Sequence, residues 1–298
     1  MRSERSIIIR TSPLSLFPLA STGGYNMAKD ITIVQGDHYA TRIYLYSALP
    51  LIKVIVESYP KFKAKFKGKS FVFQASAIDP DGVKLATHFI VENGEWTCVP
   101  GKVHDNPDCE LTFPNLRNFV LFFSGLGMPM PKIKGFGLFF KMLPILLKMK
   151  GLMTSKDHPK TAEDRKMLVK LFFYLLPNGI SQLNKLGYEP IKKWTATSPD
   201  RAYAFAVTGE PELQSWLRIK AGNSKSGRGE YPRCTPFLTM RFDSVEHALD
   251  ILMEKGDMME YMRQKWLNVE GAPEFGAQFG GFLFDIAEYA QGRYLKKL

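Results

Sequence analysis

The chain has 298 residues, 45% of them hydrophobic, and a formal net charge of +11. This excludes a disordered chain and fits one large or two ordinary domains. Three cysteines without metal-ligand spacing exclude a disulfide framework or zinc site and point to a reducing, cytoplasmic setting; no stretch reaches the roughly 18 uncharged apolar residues of a membrane span.

Residues 1–26 carry Arg2, Arg5 and Arg10 among several serines, a composition shared by targeting segments, but Met27 opens a more ordinary start. Residues 1–36 are therefore read as an N-terminal extension, and residues 1–26 within it as either a targeting segment or the product of a misassigned start. Residues 37–67 read as helical, with Ile43, Leu49, Ile52 and Val56 near one face and Pro50 kinking or restarting the helix. Strands are expected over 70–78, 83–91 and 95–99. The Asn93-Gly94 pair is a two-residue hairpin signal, so the three form an antiparallel meander. A fourth strand, 109–113, leads into a short apolar helix with Leu116, Phe119, Val120 and Phe123 at helical spacing, ended by Gly125. Then come Lys132-Ile-Lys-Gly135 and a very apolar helix over 138–149.

The second half runs in the same order. It has an apolar helix over 164–186, strands over 202–208 and 213–220, and a run over 222–229 that reads as a flexible Gly/Ser/Lys loop. A Leu238-Thr-Met240 strand follows. Val245, Ala248, Leu249 and Leu252 then mark a helix, with Asp243 and Glu246 placed as its capping box and Gly256 as its end. Val269-Glu-Gly271 and an apolar helix over 275–289 close the chain. Two domains, 37–153 and 164–298, joined by a polar linker over 154–163, account for this order.

The sequence resembles the sterol carrier protein family of lipid-binding domains, in two tandem units from about residue 40 onward. The first copy carries the likeness in Phe66-Lys-Gly-Lys-Ser-Phe-Val-Phe73, Asp108-Cys-Glu-Leu-Thr-Phe113, Gly125 and Lys132-Ile-Lys-Gly135. The second carries it in Leu238-Thr-Met240, Gly256 and Val269-Glu-Gly271. The Met128-Pro-Met-Pro131 insert and the Gly/Ser/Lys loop of the second half depart from the family pattern. The resemblance implies an α/β (α+β) fold, each domain a five-stranded mainly antiparallel sheet with flanking helices around an apolar tunnel for a sterol or fatty-acyl ligand.

The residues fit such a tunnel independently. Leu121 and Phe122 extend the apolar stripe of the 115–123 helix beyond one narrow face, so that helix is fully buried or faces something greasy. The candidate lining residues are Phe119, Phe122, Phe123, Phe139, Phe140, Met142 and Leu146 in the first copy and Leu249, Trp266, Phe279 and Phe282 in the second. A plain packed core is the competing reading of each. Lys134, Lys141 and Lys148 recur every seven residues beside Phe, Leu, Ile and Met. They read either as the solvated face of a core helix or as a stripe contacting an anionic membrane surface.

Catalytic patterns are not found. The five histidines lack paired metal spacing, no nucleophile elbow or phosphate-binding glycine motif occurs, and Cys109 has no evident His partner. No cofactor, metal or nucleic acid is expected. The expected function is non-catalytic binding and carriage or presentation of an apolar lipid, by a cytoplasmic protein that is soluble or peripheral at membranes. The alternative is an accessory scaffold, beside lipid-metabolising enzymes, in lipid or isoprenoid-quinone metabolism. An unrecognised enzyme is the third reading.

Overall fold

The computed structural model describes residues 32–296; the expected extension lies almost wholly outside the described residues. The chain forms two similar sheet-and-helix units. The first opens with α1 (Ile33–Ile43), a π-helical turn over Tyr44–Ala48, α2 (Leu51–Ser58) and α3 (Pro60–Phe66). The break anticipated at Pro50 falls between the π turn and α2, because Pro at a helix start gives up only an amide that has no intrahelical partner there. Next come strands β1 (Phe71–Ile78), β2 (Lys84–Glu92), β3 (Glu95–Val99) and β4 (Cys109–Phe113). Helix α4 (Leu116–Ser124), β5 (Lys132–Lys134) and α5 (Phe136–Met153) complete the unit.

The second unit repeats this order. A long α6 (Ala162–Leu186) and a short α7 (Glu189–Thr197) precede β6 (Arg201–Val207), β7 (Glu210–Lys220), β8 (Asn223–Arg228) and β9 (Leu238–Phe242). Then follow α8 (Val245–Leu252), α9 (Met258–Arg263), β10 (Leu267–Gly271) and α10 (Gly276–Ala290). The sheets have the same topology, β3-β2-β1-β4-β5 and β10-β9-β6-β7-β8. In each, the first and fourth strands are parallel and the other pairings are antiparallel.

The short motifs have structural causes. Strands β4 and β9 end on buried Phe113 and Phe242, and two residues later Asn115 and Ser244 cap the next helix by accepting from the amides of Asn118 and His247. The cap of α8 is thus Ser244 rather than Asp243, whose carboxylate instead meets the His247 ring 2.7 Å away. Helix α8 ends at Leu252, before Gly256: Glu254 adopts a left-handed conformation and the amides of Lys255 and Gly256 both donate to the Asp250 carbonyl. Gly135 and Gly271 end the edge strands in left-handed conformation. A Cβ there would come within 2.0 Å of the Asp108 carbonyl and 2.2 Å of the Phe237 carbonyl, so both positions require glycine twice over.

Residues 223–228, read from composition as a flexible loop, form strand β8. Two features hold it. Ser224 is buried, donates from its hydroxyl to the Ser181 hydroxyl and accepts from the Asn184 amide at 3.0 Å; and Gly227 leaves room for the Trp216 ring, which a Cβ would strike. Propensity scales do not register such tertiary partners.

The units share one continuous core. Arg42 on α1 donates to Gln182 on α6 at 3.0 Å, and Asn178 on α6 donates to the Tyr46 carbonyl at 2.7 Å. The Tyr44 hydroxyl donates to the Ala290 carbonyl at the end of α10. Asp37 joins Arg117 of the first unit, 2.9 Å away, to the Tyr294 hydroxyl of the second. Rings of Tyr39, Tyr188 and Tyr289 meet edge-on across the same junction.

Gly135→Ala combines left-handed strain with a backbone clash and should cost about 2–4 kcal/mol in urea unfolding. Gly209→Ala, left-handed but with open space around its Cα, should cost only about 1–2 kcal/mol.

Candidate ligand-binding cavity

An apolar cavity of about 300 Å³ lies at the junction of the two units. Tyr44 and Ala48 of the π turn form one wall, and Phe122, Phe123 and Ser124 at the end of α4 another. The loop Met128–Pro131 and Ile133 border it on one side. The inward face of α5 contributes Phe139, Leu143, Leu146, Met149 and Met153. The second unit closes it, with Phe172, Leu175 and Leu176 from α6 and Ala287, Ala290 and Gln291 from α10. The polar exceptions are Ser124, Lys150, Thr154 and Gln291, together with the Tyr44 hydroxyl, which is occupied by the Ala290 carbonyl. Burial raises the Tyr44 phenol above its ordinary value, so it stays protonated as a donor.

The expected lining residues separate into three groups. Phe122, Phe123, Phe139 and Leu146 line the cavity. Phe119 and Met142 are fully buried one layer behind it; Phe119 packs edge-on against Phe113, with centroids 5.4 Å apart, and against Tyr44. Phe140 points away and is 63% exposed, because it lies on the opposite face of α5 from Met142 and Ile145.

Of the second unit's candidates, Leu249, Phe279 and Phe282 belong to the buried core, and Trp266 is half-buried at its edge. Phe279 stacks on Tyr203 at 4.8 Å, and Phe282 meets Trp194 at 4.6 Å. Leu249 is fully buried, and Trp266 stacks on His247 at 4.2 Å. Trp194, carried in by α7, and the rings of β6 occupy the space between that sheet and α10. Where a tunnel was expected in each unit, the described residues form an apolar cavity between the units, bounded by α6 and α10. Sequence reasoning missed Tyr44, Ala48, Phe172, Leu175, Leu176, Ala287 and Ala290. All lie in segments read as ordinary core helix, and their role depends on how the units meet.

The three lysines do not form a helical stripe. Lys134 belongs to β5 and donates to Asn106 at 2.7 Å, because Gly135 breaks the chain direction before α5 begins. Lys148 donates to Asp164 at 2.6 Å and lies over the Tyr59 ring, while Tyr59 donates to the same carboxylate at 2.5 Å. Lys141 is exposed. The Asp164 cluster ties α5 to the first turn of α6 and so holds two cavity walls together. Burial alone would raise the Asp164 carboxyl; hydrogen bonds from Lys148 and Tyr59, with the Lys148 charge, outweigh it and hold the group below the ordinary carboxylate range.

Carboxylate, imidazole and thiol side chains lie elsewhere. The cavity lining contains no Asp, Glu, His or Cys. Burial pushes the Cys109 thiol up to about 11, leaving almost no thiolate at neutral pH. On the far face of the first sheet, Glu110 accepts from Ser76 at 2.6 Å, Gln74 at 2.9 Å and Lys84 at 3.0 Å, with Gln74 also accepting from the His104 amide. This fully partnered network secures the 100–108 loop. Among the described residues, no group of three or more His, Cys, Asp and Glu could hold a metal ion, and no helix is long and apolar enough to cross a membrane.

No family model and no curated protein matches the chain. Among solved structures, a stereoselective inverting sec-alkylsulfatase from Pseudomonas sp. is similar over 49% of this chain, at 16% identity and a TM-score of 0.28; the chain spans 21% of that protein's length. A conserved hypothetical protein from Thermus thermophilus, named as a candidate sterol carrier protein, is similar over 46% of this chain and 92% of its own length, at 14% identity and a TM-score of 0.27. Likenesses at these scores bear on neither ligand nor activity.

Two outcomes follow. Phe119→Ala removes a ring from the packed layer behind the cavity and should cost about 3–5 kcal/mol in chemical denaturation. Asp164→Asn should cost about 1–2 kcal/mol at neutral pH. Because the folded carboxyl sits below its unfolded value of about 3.9, wild type holds this advantage above that pH and loses it as pH falls through the lower folded value. Thermal melts of both proteins from pH 7 to strong acid should therefore converge at the acid end.

Proposed function

We propose that the protein binds one apolar, single-chain lipid in the junction cavity and carries or presents it without chemical conversion. The observation that carries this reading is the cavity itself: a partly open space of about 300 Å³ lined mainly by aromatic, aliphatic and Met side chains. That volume sits at the small end of the range of roughly 300–1,000 Å³ typical of ligand sites, which favours an acyl chain over a bulkier ring system. Burial of each methylene contributes about 0.8 kcal/mol, so ten of them supply roughly 8 kcal/mol gross against the cost of immobilising the ligand. Met128, Met130, Met149 and Met153 suit chains of variable shape, because an unbranched thioether repacks at low cost.

Polar groups at the lining narrow the ligand class. Lys150 is the one cation among the lining residues, with the Ser124 and Thr154 hydroxyls and the Gln291 amide as further hydrogen-bonding groups. This set suits an acyl chain ending in a carboxylate or similar anionic head. The lining holds no carboxylate, imidazole or thiol that could serve as a general base to the Ser124 or Thr154 hydroxyl, which supports binding over turnover.

Native mass spectrometry of the purified chain, followed by organic extraction, should release one fatty-acyl species per chain. Ala287→Trp places an indole in the space left by a small α10 side chain. It should weaken binding of a fluorescent fatty acid at least about tenfold, the loss of only two buried methylenes, while leaving the melting temperature near wild type. Lys150→Met should weaken the free acid but not its methyl ester. A chain that stays empty against a panel of fatty acids, alcohols and esters would sink the reading.

A further inference from the structure

We infer that the outer face of α5, together with the Leu126–Pro131 loop, docks on an anionic lipid bilayer, so that the cavity mouth opens against the membrane. Helix α5 is apolar on two opposite faces. Met142, Ile145, Met149 and Leu152 face the core, whereas Phe136, Phe140, Pro144 and Leu147 recur along the other side at helical spacing and are exposed. Phe136 is 58%, Phe140 63% and Leu147 57% exposed. A surface helix ordinarily turns charge toward water, and one that is apolar all round needs an apolar partner on its second face. The adjoining loop adds Met128 and Met130, 74% and 76% exposed, flanked by Pro129 and Pro131.

Charge identifies the partner. Between Glu110 and Asp157 the chain contains no acidic residue but seven basic ones. Arg117 and Lys148 are committed to Asp37 and Asp164, while Lys132, Lys134, Lys141 and Lys156 are exposed. Exposed aromatics and Met on a segment whose exposed charges are lysines complement a surface of acyl chains beneath anionic headgroups. A soluble acidic protein would match the charge but not the apolar stripe. A second copy of this chain would bring the same positive field against itself.

The position relative to the cavity gives docking a consequence. Met128, Met130 and Leu147 are both exposed and part of the cavity lining. A lipid entering between them from a docked bilayer would pass from one apolar medium to another without crossing water. Docking does not require an occupied cavity. Vesicle binding by a chain that never holds a lipid would keep this inference and end the ligand reading, and the reverse result would do the opposite.

The test is co-sedimentation of the full chain with phosphatidylcholine vesicles prepared with and without phosphatidylserine. The expected result is association with the anionic vesicles alone, weakening as salt screens the lysines. Phe136→Asp/Phe140→Asp and Lys132→Glu/Lys141→Glu change exposed side chains outside the cavity lining, and each pair should lower partitioning at least about tenfold. The charge pair keeps the test valid if the aromatic pair impairs folding. Lys192→Glu/Lys225→Glu, exposed on the second unit, should leave partitioning within about twofold, since screening confines the effect of a charge to its surroundings. The inference falls if folded wild type ignores anionic vesicles, if the second-unit pair is as damaging as the first, or if wild type instead dimerises through this face.

Discussion

The burial of α1 and its π-helical turn against α6 and α10 is the contact on which the rest depends. Each unit alone has a sheet covered by helices. Yet Tyr44 and Ala48 meet α6 and α10 across the junction cavity, and Leu175 and Leu176 face the first unit there. The buried polar links across the junction, Arg42 to Gln182 and Asn178 to the Tyr46 carbonyl, have directional geometry. They set the angle at which apolar helices meet, which apolar contact alone leaves loosely specified.

Two units of one topology have different interiors because of where their aromatic rings lie. In the second, Trp194, Tyr203, Phe205, Phe279 and Phe282 pack against one another at ring spacings of 4.6–6.4 Å between β6 and the first half of α10. In the first, α5 stands off from the π turn. Phe139, Leu146 and Met153 border space instead of filling it, and small residues Ala48, Ala287 and Ala290 complete the opposite walls. A cavity of this size forfeits dispersion contacts for every side chain around it. A core selected only for stability would have closed it; a ligand restores those contacts.

The outer surface of α5 and the cavity are coupled by geometry. Both faces of that helix are apolar, one bordering the cavity and one bare, and the Met128–Pro131 segment bridges them. The Asp164 cluster with Lys148 and Tyr59 anchors the helix near its C-terminal half, leaving the end that carries Phe136 and Phe140 to the surface. Stability and access thus reside at opposite ends of one element.

The strand meander at Asn93-Gly94, the two-unit order and the glycines at 125, 135 and 271 were legible because local chemistry enforces them. A hairpin turn, a helix cap and a left-handed glycine each depend on a few neighbouring residues. Helix–strand order and the apolar character of α5 follow in the same way, from periodicity and composition. What the sequence alone did not determine was β8, whose Ser and Gly residues depend on partners from α6 and Trp216, and the location of the cavity. Phe123 and Phe119 are four residues apart on one helix, yet one lines the cavity and the other is sealed behind it. That distinction comes from where α6 and α10 come to rest, and no spacing along the chain encodes it. Composition made an apolar interior certain; whether that interior is filled or open was decided by tertiary packing, because an empty volume is a property of the residues surrounding it from many parts of the chain.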